Sequence, residues 1–94
     1  MTDRKRFATV WEAIEDDPEQ AANLRLRSEL MLALKQEIAG WKVTQATAAR
    51  RLGITQPRLN DLLRGRIDKF SLDALVALAR RAGFGVRIEL SPTA

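Results

Sequence analysis

TQATAARRLGITQPRLNDLLRG, residues 44–65, is the stretch whose reading decides the fold. It parses into two short helices joined by a tight turn. Thr44 is placed to cap the first, since its hydroxyl can accept a hydrogen bond from an orphan amide of the opening turn; Ala48, Ala49 and Leu52 then form an inward stripe. Gly53 ends that helix, Ile54 is an apolar residue between the two, and Thr55 supplies the second cap. Leu59, Leu62 and Leu63 give the second helix a buried face at i, i+3 and i+4, and Gly65 closes it.

The residues left on the other side of the second helix carry the chemistry. At about 100° per residue, Pro57, Asp61 and Arg64 point most directly away from the leucines, with Arg58 and Asn60 beside them. A polar face opposite a leucine stripe is in general only a solvated surface. On a helix that can enter a major groove it is also a set of base contacts: Gln56 could pair bidentately with adenine, Arg64 or Arg58 could reach guanine or a phosphate, and Asp61 could accept from a cytosine amino group. Asp61 would repel phosphate unless it meets a base. Pro57 is tolerated so early in the helix because the N–H it lacks would be unpaired there anyway.

Charge agrees with the second reading. The chain of 94 residues has a formal net charge of +4, and residues 41–66 alone hold six basic side chains against one acidic, a local +5. A positive excess on a groove-reading motif is the electrostatic footprint of a nucleic-acid binder.

The stretch resembles the helix-turn-helix of the lambda-repressor-like, or Xre/Cro, family. The resemblance rests on the Thr44-Gln45 opening, the small-residue helix, Leu52-Gly53, an apolar Ile54, Thr55, a polar second helix and the closing Gly65. It implies a mainly α, lambda-repressor-like DNA-binding domain of about five helices, and a backbone-phosphate contact for Gln45 at a helix N-terminus. Thr44, Gln45, Thr55, Gln56, Pro57, Arg58, Asn60, Asp61, Arg64 and Arg66 are the candidate DNA-contacting residues.

Outward from the motif, residues 1–17 are expected to form a polar arm with Arg4, Lys5 and Arg6, then a short amphipathic helix on which Phe7, Val10, Trp11 and Ile14 share a face. That face either packs on the domain or docks a partner protein. Asp17, Pro18 and Gln20 form a helix start signal, and the long helix that follows is expected to stop at Gly40. Its apolar arc holds Leu24, Leu30, Met31, Leu34 and Ile38, extended by Leu26 and Ala33; Arg27 lies inside the arc and needs a carboxylate or exposed carbonyls if buried. Beyond Gly65, Arg66 and Lys69 are placed for phosphate, Ile67 and Phe70 for the core, and Ser71 caps a last helix ended by Gly83. The helix-turn-helix domain is thus expected over residues 18–83.

Residues 84–90 change the period to 2, so that residues 84–94 are expected to be a dimerisation strand and tail. Phe84, Val86, Ile88 and Leu90 alternate with Gly85, Arg87 and Glu89, which is a strand pattern. A lone strand is unstable, so the expectation is a C-terminal β-strand (Phe84, Val86, Arg87, Ile88, Glu89, Leu90) paired across a homodimer, or with a partner's sheet edge.

The chain as a whole is similar to compact, HigA-like Xre-type antitoxins, on Val10-Trp11-Glu12-Ala13-Ile14, Leu26-Arg27-Ser28-Glu29-Leu30, Thr55-Gln56-Pro57-Arg58 and Phe70-Ser71-Leu72-Asp73-Ala74-Leu75. The resemblance implies a transcriptional repressor, dimeric on a palindromic operator in double-stranded DNA and autoregulating within a toxin–antitoxin module. The other function class is a protein-binding inhibitor that neutralises a ribonuclease-type toxin. No catalytic constellation is present, so an enzyme is not expected. The chain has no cysteine and no histidine, which removes the usual zinc sites, thiol or imidazole nucleophiles and disulfides; no metal or cofactor is expected. No apolar run approaches a membrane span and the N-terminus lacks a signal peptide's hydrophobic core, so the expected location is the cytoplasm.

Overall fold

The computed structural model describes residues 17–92. Among them are four helices: α1 (Pro18–Trp41), α2 (Gln45–Leu52), α3 (Gln56–Leu63) and α4 (Leu72–Arg81), with a 3-10 turn at Ile67–Lys69 between α3 and α4. The helix expected over residues 7–15 lies outside the described residues.

Local chemistry sets every helix start. Asp17 Oδ1 accepts from the amides of Glu19 (3.1 Å) and Gln20 (3.2 Å) ahead of Pro18. Thr44 Oγ1 accepts from Thr47 N at 3.2 Å, Thr55 Oγ1 from Arg58 N at 3.2 Å, and Ser71 Oγ from Ala74 N at 3.1 Å. Each bond satisfies one of the donors that a helix leaves unpaired at its first turn.

The ends of α2 and α3 are equally local. Gly53 sits at φ +70° and Gly65 at φ +72°, conformations that cost little without a Cβ. After α2, Gly53 N donates to Arg50 O (3.1 Å) and Ile54 N to Ala49 O (2.9 Å); after α3, Gly65 N donates to Leu62 O and Arg66 N to Asp61 O, both at 3.0 Å. These paired bonds are Schellman closures, and α4 ends in the same way through Gly83 N to Arg80 O and Phe84 N to Ala79 O.

α1 does not end where expected. It runs through Gly40 to Trp41, and Lys42 takes the left-handed conformation at φ 54°, ψ 45°. Trp41 supplies the reason: it packs half-buried against the core, donates from Nε1 to Glu37 Oε1 at 3.2 Å, and lies 4.0 Å beneath the Arg51 guanidinium. A glycine in a helix costs roughly 0.5–1 kcal/mol, less than those anchors contribute together.

The eight-residue helices α2 and α3 are too short to hold themselves, since isolated helices below about 12–15 residues are marginal in water. Burial supports them. Leu52, Leu59 and Leu62 are fully enclosed with Leu34, Leu75 and Phe70, at about 1.5–3 kcal/mol for each large side chain taken from water. α1 lies chiefly along α4, and α2 packs on α3, so the short pair is seated on a frame of the two longer helices. Ile67 and Phe70 contribute to the core as expected, Phe70 completely and Ile67 in part. Leu26, placed in the inward arc by its spacing, is instead exposed, as is Leu32.

The C-terminal strand is the main departure. No strand occurs among the described residues, and the segment from residue 84 to 92 runs without regular secondary structure. A strand needs a ladder partner, and among the described residues of one chain this segment has none. Its alternation survives halfway: Phe84 and Val86 pack on the core beside Leu30, Ala33, Leu34 and Ala79, whereas Ile88 is 72% exposed and Leu90 94%. No helix of the described residues is long and apolar enough to cross a membrane.

Candidate nucleic-acid interface

The sequence-predicted site residues fall into two groups. Gln45, Gln56, Pro57 and Arg64 are exposed on α2 and α3, and Asn60 is half-exposed on α3. This is the face opposite Leu59 and Leu62, so the helical spacing placed it correctly. Thr44 and Thr55 are exposed too, but their hydroxyls act as the helix caps, and Thr44 Oγ1 also bonds Thr47 Oγ1 at 3.0 Å.

Arg58, Asp61 and Arg66 form the second group, and each has a partner within the protein. Arg58 lays its guanidinium over the Phe70 ring at 4.0 Å and donates from Nη1 to Lys69 O at 2.7 Å. Asp61, expected to face a base, lies 3.7 Å from Arg66 Nη1 through Oδ1 and 3.7 Å from Lys69 Nζ through Oδ2. Its pairing partners come from the loop after α3, whose path no helical period describes.

Two further arginines hold the motif from behind. Arg27 of α1 donates from Nη1 to Ile67 O (3.1 Å) and Phe70 O (3.4 Å), while its Nε donates to Asn23 Oδ1 at 2.7 Å. The exposed carbonyls that its position in the apolar arc demanded are therefore those of the 66–70 loop. Arg81 of α4 reaches across to donate from Nη1 to Leu52 O at 3.1 Å, satisfying a terminal carbonyl of α2. No buried side-chain nitrogen or oxygen of the described residues lacks a partner. The sequence reading did not place Arg81 on Leu52 and gave Lys69 no carboxylate partner.

The result is a short helix pair whose second helix projects an amide, a proline and a cation from a fixed frame. Such a constellation has the chemistry to read a groove edge and track phosphates, and the helix pair is that of a helix-turn-helix protein. Comparison with known proteins agrees. The helix-turn-helix domain family HTH_37 matches residues 13–91. A solved structure provisionally named an XRE family transcriptional regulator superposes with a TM-score of 0.73 at 30% identity, over 79% of this chain and 83% of that one. No curated protein matches the chain. The protein belongs to the helix-turn-helix domain family, in its XRE type.

Proposed function

We propose that the chain is a sequence-specific transcriptional repressor that binds a palindromic operator as a homodimer and serves as the autoregulating antitoxin of a toxin–antitoxin module. Its standing as a DNA-binding regulator of XRE type rests on the family. The observation that best supports sequence reading is the exposed face of Gln56, Pro57 and Arg64 on a helix held in place by Leu59, Leu62 and the Arg27 and Arg81 braces. Gln45, at the N-terminus of α2, is placed for a backbone phosphate, and Arg66 for another.

Selection of duplexes from a random pool by the purified protein tests the first part. A repressor of this kind enriches a two-fold symmetric sequence, and its affinity falls steeply with salt as phosphate counterions are released. Enrichment of no sequence over the starting pool would leave only non-specific binding and end the repressor reading.

The antitoxin role is supported by the resemblance of residues 10–14, 26–30 and 70–75 to HigA-like proteins. Exposed Ile88 and Leu90 offer apolar ground for a protein partner as well as for a second copy. Co-expression with the product of the neighbouring gene, followed by co-purification, separates the roles. A complex that relieves growth arrest by that product supports the antitoxin; a neighbour that neither binds nor arrests growth leaves a repressor without a toxin.

A further inference from the structure

The loop of residues 66–70 is fixed from three sides. Arg27 on α1 occupies the carbonyls of Ile67 and Phe70, Arg58 on α3 occupies that of Lys69, and the Phe70 side chain is buried in the core. Arg66 and Lys69 therefore project from a backbone with little freedom. Both reach the same carboxylate, since Asp61 Oδ1 lies 3.7 Å from Arg66 Nη1 and Asp61 Oδ2 lies 3.7 Å from Lys69 Nζ. The separations are those of ion pairs rather than tight hydrogen bonds. The two cations keep 44% and 47% of their side-chain surface exposed, against 21% for Asp61.

Asp61, Arg66 and Lys69 by themselves sum to +1, with Asp68 of the same loop a further acidic side chain, and the two cations keep nearly half of their side-chain surface open to a phosphate. Asp61 also offsets the repulsion that would drive Arg66 and Lys69 apart. A carboxylate with a cation at each oxygen and 21% of its side-chain surface exposed is poorly placed to accept from a base, because little of it is left open beside the two cations. We propose that Asp61 is a positioning residue that holds Arg66 and Lys69 as a paired clamp for one phosphate of the DNA backbone, and that it reads no base. The inference rests on the DNA-binding reading and adds the role of Asp61 and the partnership of Lys69. Holding two long side chains in place before binding lowers the ordering cost that association would otherwise carry.

A double-mutant cycle tests it, with affinity measured for a mixed-sequence duplex and for the duplex that the wild-type protein selects from a random pool. Removing a carboxylate from a DNA-facing surface by itself tightens binding, through lost repulsion. Positioning acts in the opposite direction. Asp61→Asn is expected to weaken both duplexes alike, by roughly threefold, the part of the ordering cost of two long side chains that remains once the lost repulsion is set against it. In an Arg66→Ala/Lys69→Ala background the same substitution is expected to tighten binding. Asp61→Glu, which keeps the charge, should recover most of the wild-type affinity, a rescue that loss of packing would not give.

Tightening in both backgrounds overturns the inference, because Asp61 would then only repel DNA. Loss confined to the selected duplex and mapped to a single base pair also overturns it, making Asp61 a base reader. If Asp61→Asn unfolds, Asp61→Ser takes its place in the cycle. Failure of the wild-type protein to bind either duplex at low salt would instead end the DNA-binding reading, and is seen before any variant is made.

Discussion

Arg81 donates to the carbonyl of Leu52 at 3.1 Å, so the end of the first motif helix is closed by a side chain from the last helix of the fold. The guanidinium passes Gly53, where an added Cβ would stand 3.4 Å from Arg81 Nη1. Replacing Arg81 by Met keeps the stem but leaves the Leu52 carbonyl without its charged donor. The bond is partly exposed, so the expected loss is about 1 kcal/mol, below the roughly 1.5–3 kcal/mol of a hydrogen bond to a charged group. For a domain of this size that lowers the melting temperature by roughly 4–8 °C. An unchanged melting curve would show that solvent replaces Arg81 without cost.

Gly40 and Gly53 should respond to alanine with opposite signs. Gly40 lies within α1 and a Cβ there meets nothing within 4 Å. Alanine should stabilise by up to about 0.5–1 kcal/mol, because it restricts the unfolded chain and suits a helix. Gly53 holds φ +70°, so alanine there should cost on the order of 1–2 kcal/mol through its Cβ. Thermal or denaturant unfolding of the two variants measures both. Destabilisation by Gly40→Ala would mean that α1 needs a break before Trp41.

Contacts with DNA should divide by kind. Gln56→Ala is expected to cost roughly 1–3 kcal/mol on the selected operator and little on random DNA, as for a side chain that pairs with a base edge. Arg66→Ala should weaken both duplexes alike and reduce the salt slope by about 1, as for a phosphate contact. Equal losses on both duplexes for Gln56→Ala would remove it as a base reader.

The parts of this protein that were legible in the sequence are those set by near neighbours. Asp17, Thr44, Thr55 and Ser71 cap helices through bonds spanning two or three residues, and Gly53, Gly65 and Gly83 close them over five. Leu52, Leu59 and Leu62 were readable because helical spacing fixes their side of the axis. The exposed face of Gln56, Pro57 and Arg64 follows from the same geometry. What spacing could not supply were partners distant in the chain: Arg81 on Leu52 is separated by 29 positions and Arg27 on Phe70 by 43. Arg27's need for carbonyls was evident from its place in the arc, but not which carbonyls. Asp61 was aimed correctly off the leucine face, yet its ion pairs depend on the course of an irregular loop. Gly40 misled as a stop signal because Trp41 outweighs it.

The C-terminal segment carries the last prediction, which concerns assembly. Arg87 Nη2 and Glu89 Oε1 lie 2.7 Å apart within the chain, both largely exposed, and an exposed pair of this kind contributes little. In an antiparallel two-fold ribbon centred on Ile88, the same residues would face each other across the two chains, Arg87 against Glu89 twice, with Val86 opposite Leu90. Centring on Arg87 instead would set two arginines face to face. Cross-strand opposite charges contribute up to about 1 kcal/mol while like charges cost, so the Ile88-centred register is preferred. It would also cover Ile88 and Leu90, the two apolar side chains of the segment that the single chain leaves exposed. Pro92 would limit extension of the ribbon, and the two α3 helices would be set about 34 Å apart, one turn of DNA. Because Phe84 and Val86 pack on the core, the informative truncation removes residues 87–94 and leaves those two in place. That truncation, and Ile88→Asp, should give folded monomers by sedimentation, with weakened binding to a palindromic operator. A cysteine at position 88 should crosslink to its own copy under oxidation. A truncated chain that still sediments as a dimer would place the interface elsewhere on the molecule.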